Sequence, residues 1–126
     1  MTGTHRRILL AGALLAAAAV ALGAFGAHAL RDTLDARALG WWQTAVQYQM
    51  WHALALIALA AVPLARPGRP ALLLGSGTAI FAATLYLMAL TGLRWLGAVT
   101  PTGGAMMIAG WLLLAWRAAR TRNERA

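Results

Sequence analysis

Four apolar runs, each about as long as a membrane crossing and each bounded by arginine, leave this chain few ways to fold. The first, Ile8–Leu30, is about 23 residues, enough for ~30 Å of hydrocarbon at 1.5 Å per residue. The second, Ala45–Ala65, closes at Pro63 and the breaker run Arg66-Pro67-Gly68-Arg69-Pro70. The third is Ala71–Thr91, with Pro70 suited to a first helical position. For the fourth, Thr100 reads as an N-cap and Pro101 as the first helical residue, with the helix running to Arg120. Hydrocarbon offers no partner to backbone N–H and C=O groups, so such runs must be helices. The expected architecture is an all-α integral membrane four-helix bundle, one domain over residues 1–126. Its spans are expected near 8–30, 43–65, 71–91 and 101–120.

Charge gives the orientation. The net +8 comes from eleven Arg and no Lys against Asp32, Asp35 and Glu124. In a soluble chain that imbalance would suggest nucleic acid; here the Arg residues lie between apolar runs, so retention on one membrane face explains them and no nucleic-acid partner is expected. Eight Arg fall on the N-terminus, the second connector and the tail, and three on the first and third connectors. All eight share a side only with four crossings, so both termini are expected in the cytoplasm. The tail Arg also suit contact with membrane lipid. His5-Arg6-Arg7 followed by an apolar run and Ala27-His28-Ala29 imitates a secretory leader, but about 20 apolar residues exceed a leader's usual core and favour a span.

The chemistry is concentrated in Trp41–His52, WWQTAVQYQMWH, which holds all three Gln and three of the six Trp. Asp35 is placed to cap a helix beginning at Ala36, so this load enters the membrane from outside. Trp41, Trp42, Trp95 and Trp116 suit interfacial anchoring, whereas Trp51 and Trp111 look too deep for a belt. Thr44, Tyr48 and His52 recur every four residues and share a face. With the orientation above, His28, Gln43, Thr44, Gln47, Tyr48, Gln49, His52, Tyr86, Thr91, Thr100 and Thr102 all fall in the outer half. Polar groups in lipid are costly unless paired, so these residues are expected to turn inward and meet. Two readings stay open. One is a hydrogen-bonded network fastening the helices; the other is an outward-facing site where His28 and His52 converge on a ligand, proton or metal. Two His without a carboxylate or thiol make a poor metal site, so no metal and no cofactor are expected.

Small residues mark close packing: Gly23, Gly26, Gly75, Gly103 and Gly104, with Gly110, are expected where helices approach one another, within the bundle or in a homo-oligomer or larger membrane complex. No acid or Arg lies within a span core, so an ion-coupled carboxylate is missing, and no Ser–His–Asp or paired-carboxylate arrangement can be built. The chain does not read as an enzyme.

Gly23-Ala-Phe-Gly-Ala-His-Ala-Leu30 and Trp42-Gln-Thr-Ala-Val-Gln-Tyr-Gln49 with His52 resemble the family catalogued as domain of unknown function 423, also called the transmembrane protein 256-like family. Leu85-Tyr86, Leu90-Thr-Gly92, Thr100-Pro-Thr-Gly-Gly104 and Gly110-Trp111 are similar to its second half. The chain departs from the family at Asp35-Ala36-Arg37, where a Ser-Pro-Glu helix start is common. The resemblance implies a small bacterial inner-membrane protein with four helices and no established activity. The expected role is structural, in envelope homeostasis or assembly. The alternative is a membrane binding module with an outer-leaflet polar pocket for a lipid, quinone or small solute.

Overall fold

In a computed structural model of the protein the backbone is described for residues 1–125 and the side chains for residues 1–120. Four long helices follow in order: α1 (Gly3–His28), α2 (Ala36–Ala61), α3 (Gly68–Thr91) and α4 (Thr100–Arg125), with a 3-10 turn over Arg94–Ala98 leading into the last. The fold is all-α, as the apolar runs require.

Local chemistry sets the ends. Thr2 caps α1 through the N–H of His5, and Asp35 caps α2 by accepting from the N–H of Ala38 at 2.8 Å. The start of α2 is where the sequence put it. Its end comes earlier than the expected span, at Ala61, because Val62 precedes Pro63 and is pushed into the extended region. Gly92, at φ +72°, closes α3 in the left-handed conformation that glycine adopts without strain. The start of α4 corrects an expectation. Thr100 is already helical and its hydroxyl caps nothing; the preceding 3-10 turn supplies the helix start instead.

Packing follows chain order: α1 lies on α2, α2 on α3 and α3 on α4, while α1 touches α3 lightly. Among the described residues the backbones of α1 and α4 do not meet, so α2 and α3 form the middle of the bundle. Its core joins Ile8 of α1, Leu56 and Leu59 of α2 and Leu74 of α3 at one end, and Ala45, Ala82, Leu85 and Met88 at the other. The outer faces carry exposed Leu10, Leu14, Val20, Leu72, Ile108 and Leu112, the surface that acyl chains wet.

Glycines allow two of these contacts to be close. A Cβ on Gly77 would sit 2.7 Å from the carbonyl oxygen of Gly103, and one on Gly103 would sit 2.5 Å from the carbonyl oxygen of Gly77. There α3 and α4 touch backbone to backbone. On α1, Gly12 faces the backbone of Ala53 and Gly26 lies against the Trp42 ring. Gly12 and Gly77 were not among the expected packing positions. Of those that were, Gly26, Gly103 and Gly110 are tight and Gly23 meets the Val46 side chain at 3.2 Å. Gly75 and Gly104 have neighbours only at 3.8 and 3.9 Å, so helix approach does not need a glycine at either.

Three helical stretches are long and apolar enough to cross a membrane: Gly3–His28, Gly68–Thr91 and Arg94–Arg120. The fourth, α2, falls short of them because Gln43, Gln47, Gln49 and His52 lower its hydropathy. The helix that falls short, with its glutamines and histidine, is therefore at the centre.

Candidate functional site

Helix α2 is bonded through side chains to each of the other three helices. Trp42 is 3% exposed, and its indole N–H donates to the Leu22 carbonyl of α1 at 2.8 Å. Two turns on, the Gln49 amide N–H donates to the Leu15 carbonyl of α1 at 2.9 Å. Its amide oxygen accepts from the Tyr86 hydroxyl of α3 at 2.8 Å. One turn further, His52 accepts at Nε2 from the Trp111 indole of α4 at 3.1 Å. Its other nitrogen, Nδ1, lies 2.8 Å from the Tyr48 carbonyl. That pattern is the neutral ring with its proton on Nδ1 donating to Tyr48, one donor and one acceptor, both occupied.

A second link ties α3 to α4. The buried hydroxyls of Thr84 and Thr100 are 2.7 Å apart, and each lies near a carbonyl of the preceding turn, Ile80 in α3 for Thr84 and Leu96 in the 3-10 turn for Thr100. Each hydroxyl has one proton, so one donates to its carbonyl and the other donates across the helix interface. Rings fill the space between these bonds: Tyr86 on Trp42 at 4.7 Å, Tyr48 on Phe81 at 4.6 Å, and His52 edge-on to Trp111 at 5.8 Å.

The expected residues divide. Gln49 and His52 both join the network, together with Tyr86 and Thr100. Tyr48 contributes its ring and its backbone carbonyl. Gln47 is exposed and stays outside the network, on the rim of a groove between α1 and α2. His28 is a correction: it is the last residue of α1, exposed, and without a side-chain hydrogen bond among the described residues. Gly26 lies against Trp42, and His52 is ten residues, about 15 Å, further along α2. The two histidines therefore do not converge. Leu15 and Gln49 are each within a residue of the middle of their helices, so the linkage reaches the middle of the bundle.

In the sequence Trp42 reads as an interfacial anchor and Thr84 carries no mark. A buried indole N–H needs an acceptor, and the glycine at position 26 that admits the ring was the available signal. The acceptors themselves, Leu15 and Leu22 carbonyls, carry no mark in a sequence. The expected outcome of His52→Ala is a loss of about 1–2 kcal/mol of stability in detergent, through the lost Trp111 bond and the vacated ring volume. His28→Ala should leave the melting temperature unchanged, as circular dichroism melts of the two variants would read.

Such a molecule is an integral membrane protein of the multi-pass helical class, with its buried polar side chains paired among the described residues. Comparison with known proteins identifies it further. A family model described as "Protein of unknown function (DUF423)" matches residues 22–104, and the chain belongs to that family. It is similar to the UPF0382 inner membrane protein YgdD of Escherichia coli K12, 39% identical over 125 residues, covering 96% of this chain and 95% of that one. The UPF0382 membrane protein SSP2132 of Staphylococcus saprophyticus is 42% identical over 113 residues, covering 84% and 91%. The UPF0382 membrane protein SH2409 of Staphylococcus haemolyticus is 41% identical over 113 residues, covering 84% and 89%. No solved structure matches. The matched stretch contains Trp42, Gln49, His52, Tyr86 and Thr100, and the chain is a protein of the cell inner membrane.

Proposed function

We infer that this protein is a non-catalytic structural component of the inner membrane, serving envelope homeostasis or the assembly of a larger complex, and that the bonds of α2 are its internal fastening. One observation carries the reading. Among the described residues, no buried side-chain nitrogen or oxygen lacks a hydrogen-bond partner. A relay or catalytic group needs a free valence for its substrate, whereas a fastening needs none. Cells carrying substitutions at Gln49, His52 or Trp111 are expected to resist envelope stress in proportion to the folded protein in their membranes. A His52 variant with wild-type abundance and melting but the phenotype of a deletion would contradict the reading.

In this reading all four helices cross the membrane and both termini are cytoplasmic. The Arg distribution supports it, with eight on the side of the termini and the α2–α3 connector and three on the other. Exposed Trp95 and Trp116, the latter under the Arg120 guanidinium at 4.9 Å, suit the two interfaces. The chain has no Cys, so single cysteines report topology cleanly. Thr33→Cys in intact cells should react with a membrane-impermeant maleimide and Arg69→Cys should not. The reverse pattern would invert the orientation.

The alternative, a membrane binding module, is favoured by one feature. A groove of about 230 Å³ between α1 and α2 has exposed Gln43 and Gln47 at its edge, neither hydrogen-bonded among the described residues. Amides on a lipid-facing surface call for a partner, either a small polar ligand or a second subunit. Saturable quinone or lipid binding that Gln47→Leu abolishes would support this alternative over the first reading.

A further inference from the structure

At the end of the bundle opposite Asp32 and Asp35, the start of α1, the α2–α3 connector and α4 line a half-open cavity of about 690 Å³. His5, Arg66, Arg69 and Arg117 line it, and no acidic residue does among those described. Arg117 donates to the Arg66 carbonyl and so ties α4 to the connector as one wall. Thr4 and Gly68 line this cavity and also the head of a second one, about 500 Å³, which runs down between α1 and α3. Arg7 stands at its top, Ile8, Ala11 and Leu72 form its sides, and Leu56 of α2 belongs to its lining. From Thr4 to Ala11 it descends about 10 Å into the apolar part of the bundle.

Small residues keep this groove open without serving helix contact. A Cβ on Gly68 would find its first neighbour, a Thr4 methyl, at 3.8 Å, and one on Gly75 would find Leu56 at 3.8 Å. These glycines differ from Gly77 and Gly103, whose missing Cβ atoms let two backbones touch. Here the space is left unfilled by the protein, beneath a cluster of cations.

We propose that the cavity and groove together bind one anionic glycerophospholipid of the leaflet facing the chain termini. The phosphate diester is held by Arg66 and Arg69 with His5 beside them, and one acyl chain lies in the α1–α3 groove. Guanidinium groups match phosphate oxygens in charge and in donor geometry, and basic pockets between membrane helices are suited to acidic headgroups. The glycerol backbone would lie at Thr4 and Gly68, where the polar and apolar volumes meet. This site is at the other end of the molecule from the Trp42 end of the α2 network and does not depend on what that network is for.

The test uses the purified full chain in a neutral detergent, titrated with dioleoyl phosphatidylglycerol, dioleoyl phosphatidylcholine or inorganic phosphate, and read by thermal shift and by native mass spectrometry. Phosphatidylglycerol is expected to bind about tenfold more tightly than phosphatidylcholine. That preference should vanish in the Arg66→Gln/Arg69→Gln double variant, whose substitutions lie on exposed side chains. Ala11→Leu, also at an exposed position, fills the groove and should weaken phosphatidylglycerol binding while leaving the melting temperature without lipid unchanged. Equal binding of the two lipids, or a preference that survives in the double variant, would overturn the proposal. A stabilisation by inorganic phosphate equal to that by phosphatidylglycerol would mark a soluble-anion site and overturn it too. Undiminished lipid binding by Ala11→Leu would remove the acyl-chain seat.

Discussion

Gly103→Ala is expected to destabilise the protein by about 1–3 kcal/mol, while the same substitution one residue later, Gly104→Ala, is expected to be neutral or slightly stabilising. The chemistry of the two changes is identical. Glycine to alanine within a helix is intrinsically favourable, by up to about 1 kcal/mol. At position 104 nothing opposes that gain, since the nearest atom to the new methyl is a ring carbon of Phe81 at 3.9 Å. At position 103 the methyl would lie 2.5 Å from the Gly77 carbonyl oxygen and 2.6 Å from the Phe81 amide nitrogen. Both are backbone atoms of α3 and cannot rotate away, so the two helices must separate. Separation would also stretch the Thr84–Thr100 bond, which spans the same interface at 2.7 Å. Melting followed by circular dichroism in one detergent, with both variants beside the wild type, reads the contrast. Equal behaviour of the two would mean that α3 and α4 are not in backbone contact.

The second large effect is expected from Gln49→Leu, which keeps the approximate volume and removes both amide functions. Two interhelical bonds go together, the one to the Leu15 carbonyl and the one from the Tyr86 hydroxyl. Bonds of this kind in membrane bundles average about 0.6 kcal/mol and reach about 1.7, so a loss of about 1–2 kcal/mol is expected. The estimate stays at this size because the unfolded chain in a membrane also finds partners for its polar groups. The opposing term is the gain in hydropathy of α2, the helix least suited to lipid on composition. Gln49→Leu should therefore insert at least as well as the wild type and yet melt earlier. Reduced insertion with unchanged melting would assign Gln49 to biogenesis rather than to holding the helices together.

Helix number and order, the Asp35 cap and the end of the third run at Thr91 were legible because each rests on local chemistry: apolar run length and a capping side chain. Which residues would be bonded was legible only in part. That Gln49, His52, Tyr86 and Thr100 must turn inward follows from the expense of bare polar groups in lipid. Their partners do not follow, since Gln49 and Trp42 bond to main-chain carbonyls of α1 that any residue would present. His28 and His52 both lie on the outer side of a charge count, and such a count does not say whether two residues at different heights in a bundle meet. Thr84 was passed over because a threonine in a helix usually bonds to its own preceding turn, as this one does, and its second contact needed the geometry of Thr100.

A double-mutant cycle between Gln49 and Tyr86 measures whether the polar side chains of α2 hold the bundle together by pairing across helices. Tyr86→Phe removes only the hydroxyl, Gln49→Leu removes its acceptor, and the double variant removes both. With unfolding free energies measured in lipid bicelles, the expected coupling is favourable by about 0.6–1.7 kcal/mol, so that the double variant is less impaired than the sum of the singles. Strict additivity would show that the hydroxyl and the amide do not meet and that α2 does not fasten the bundle through this pair.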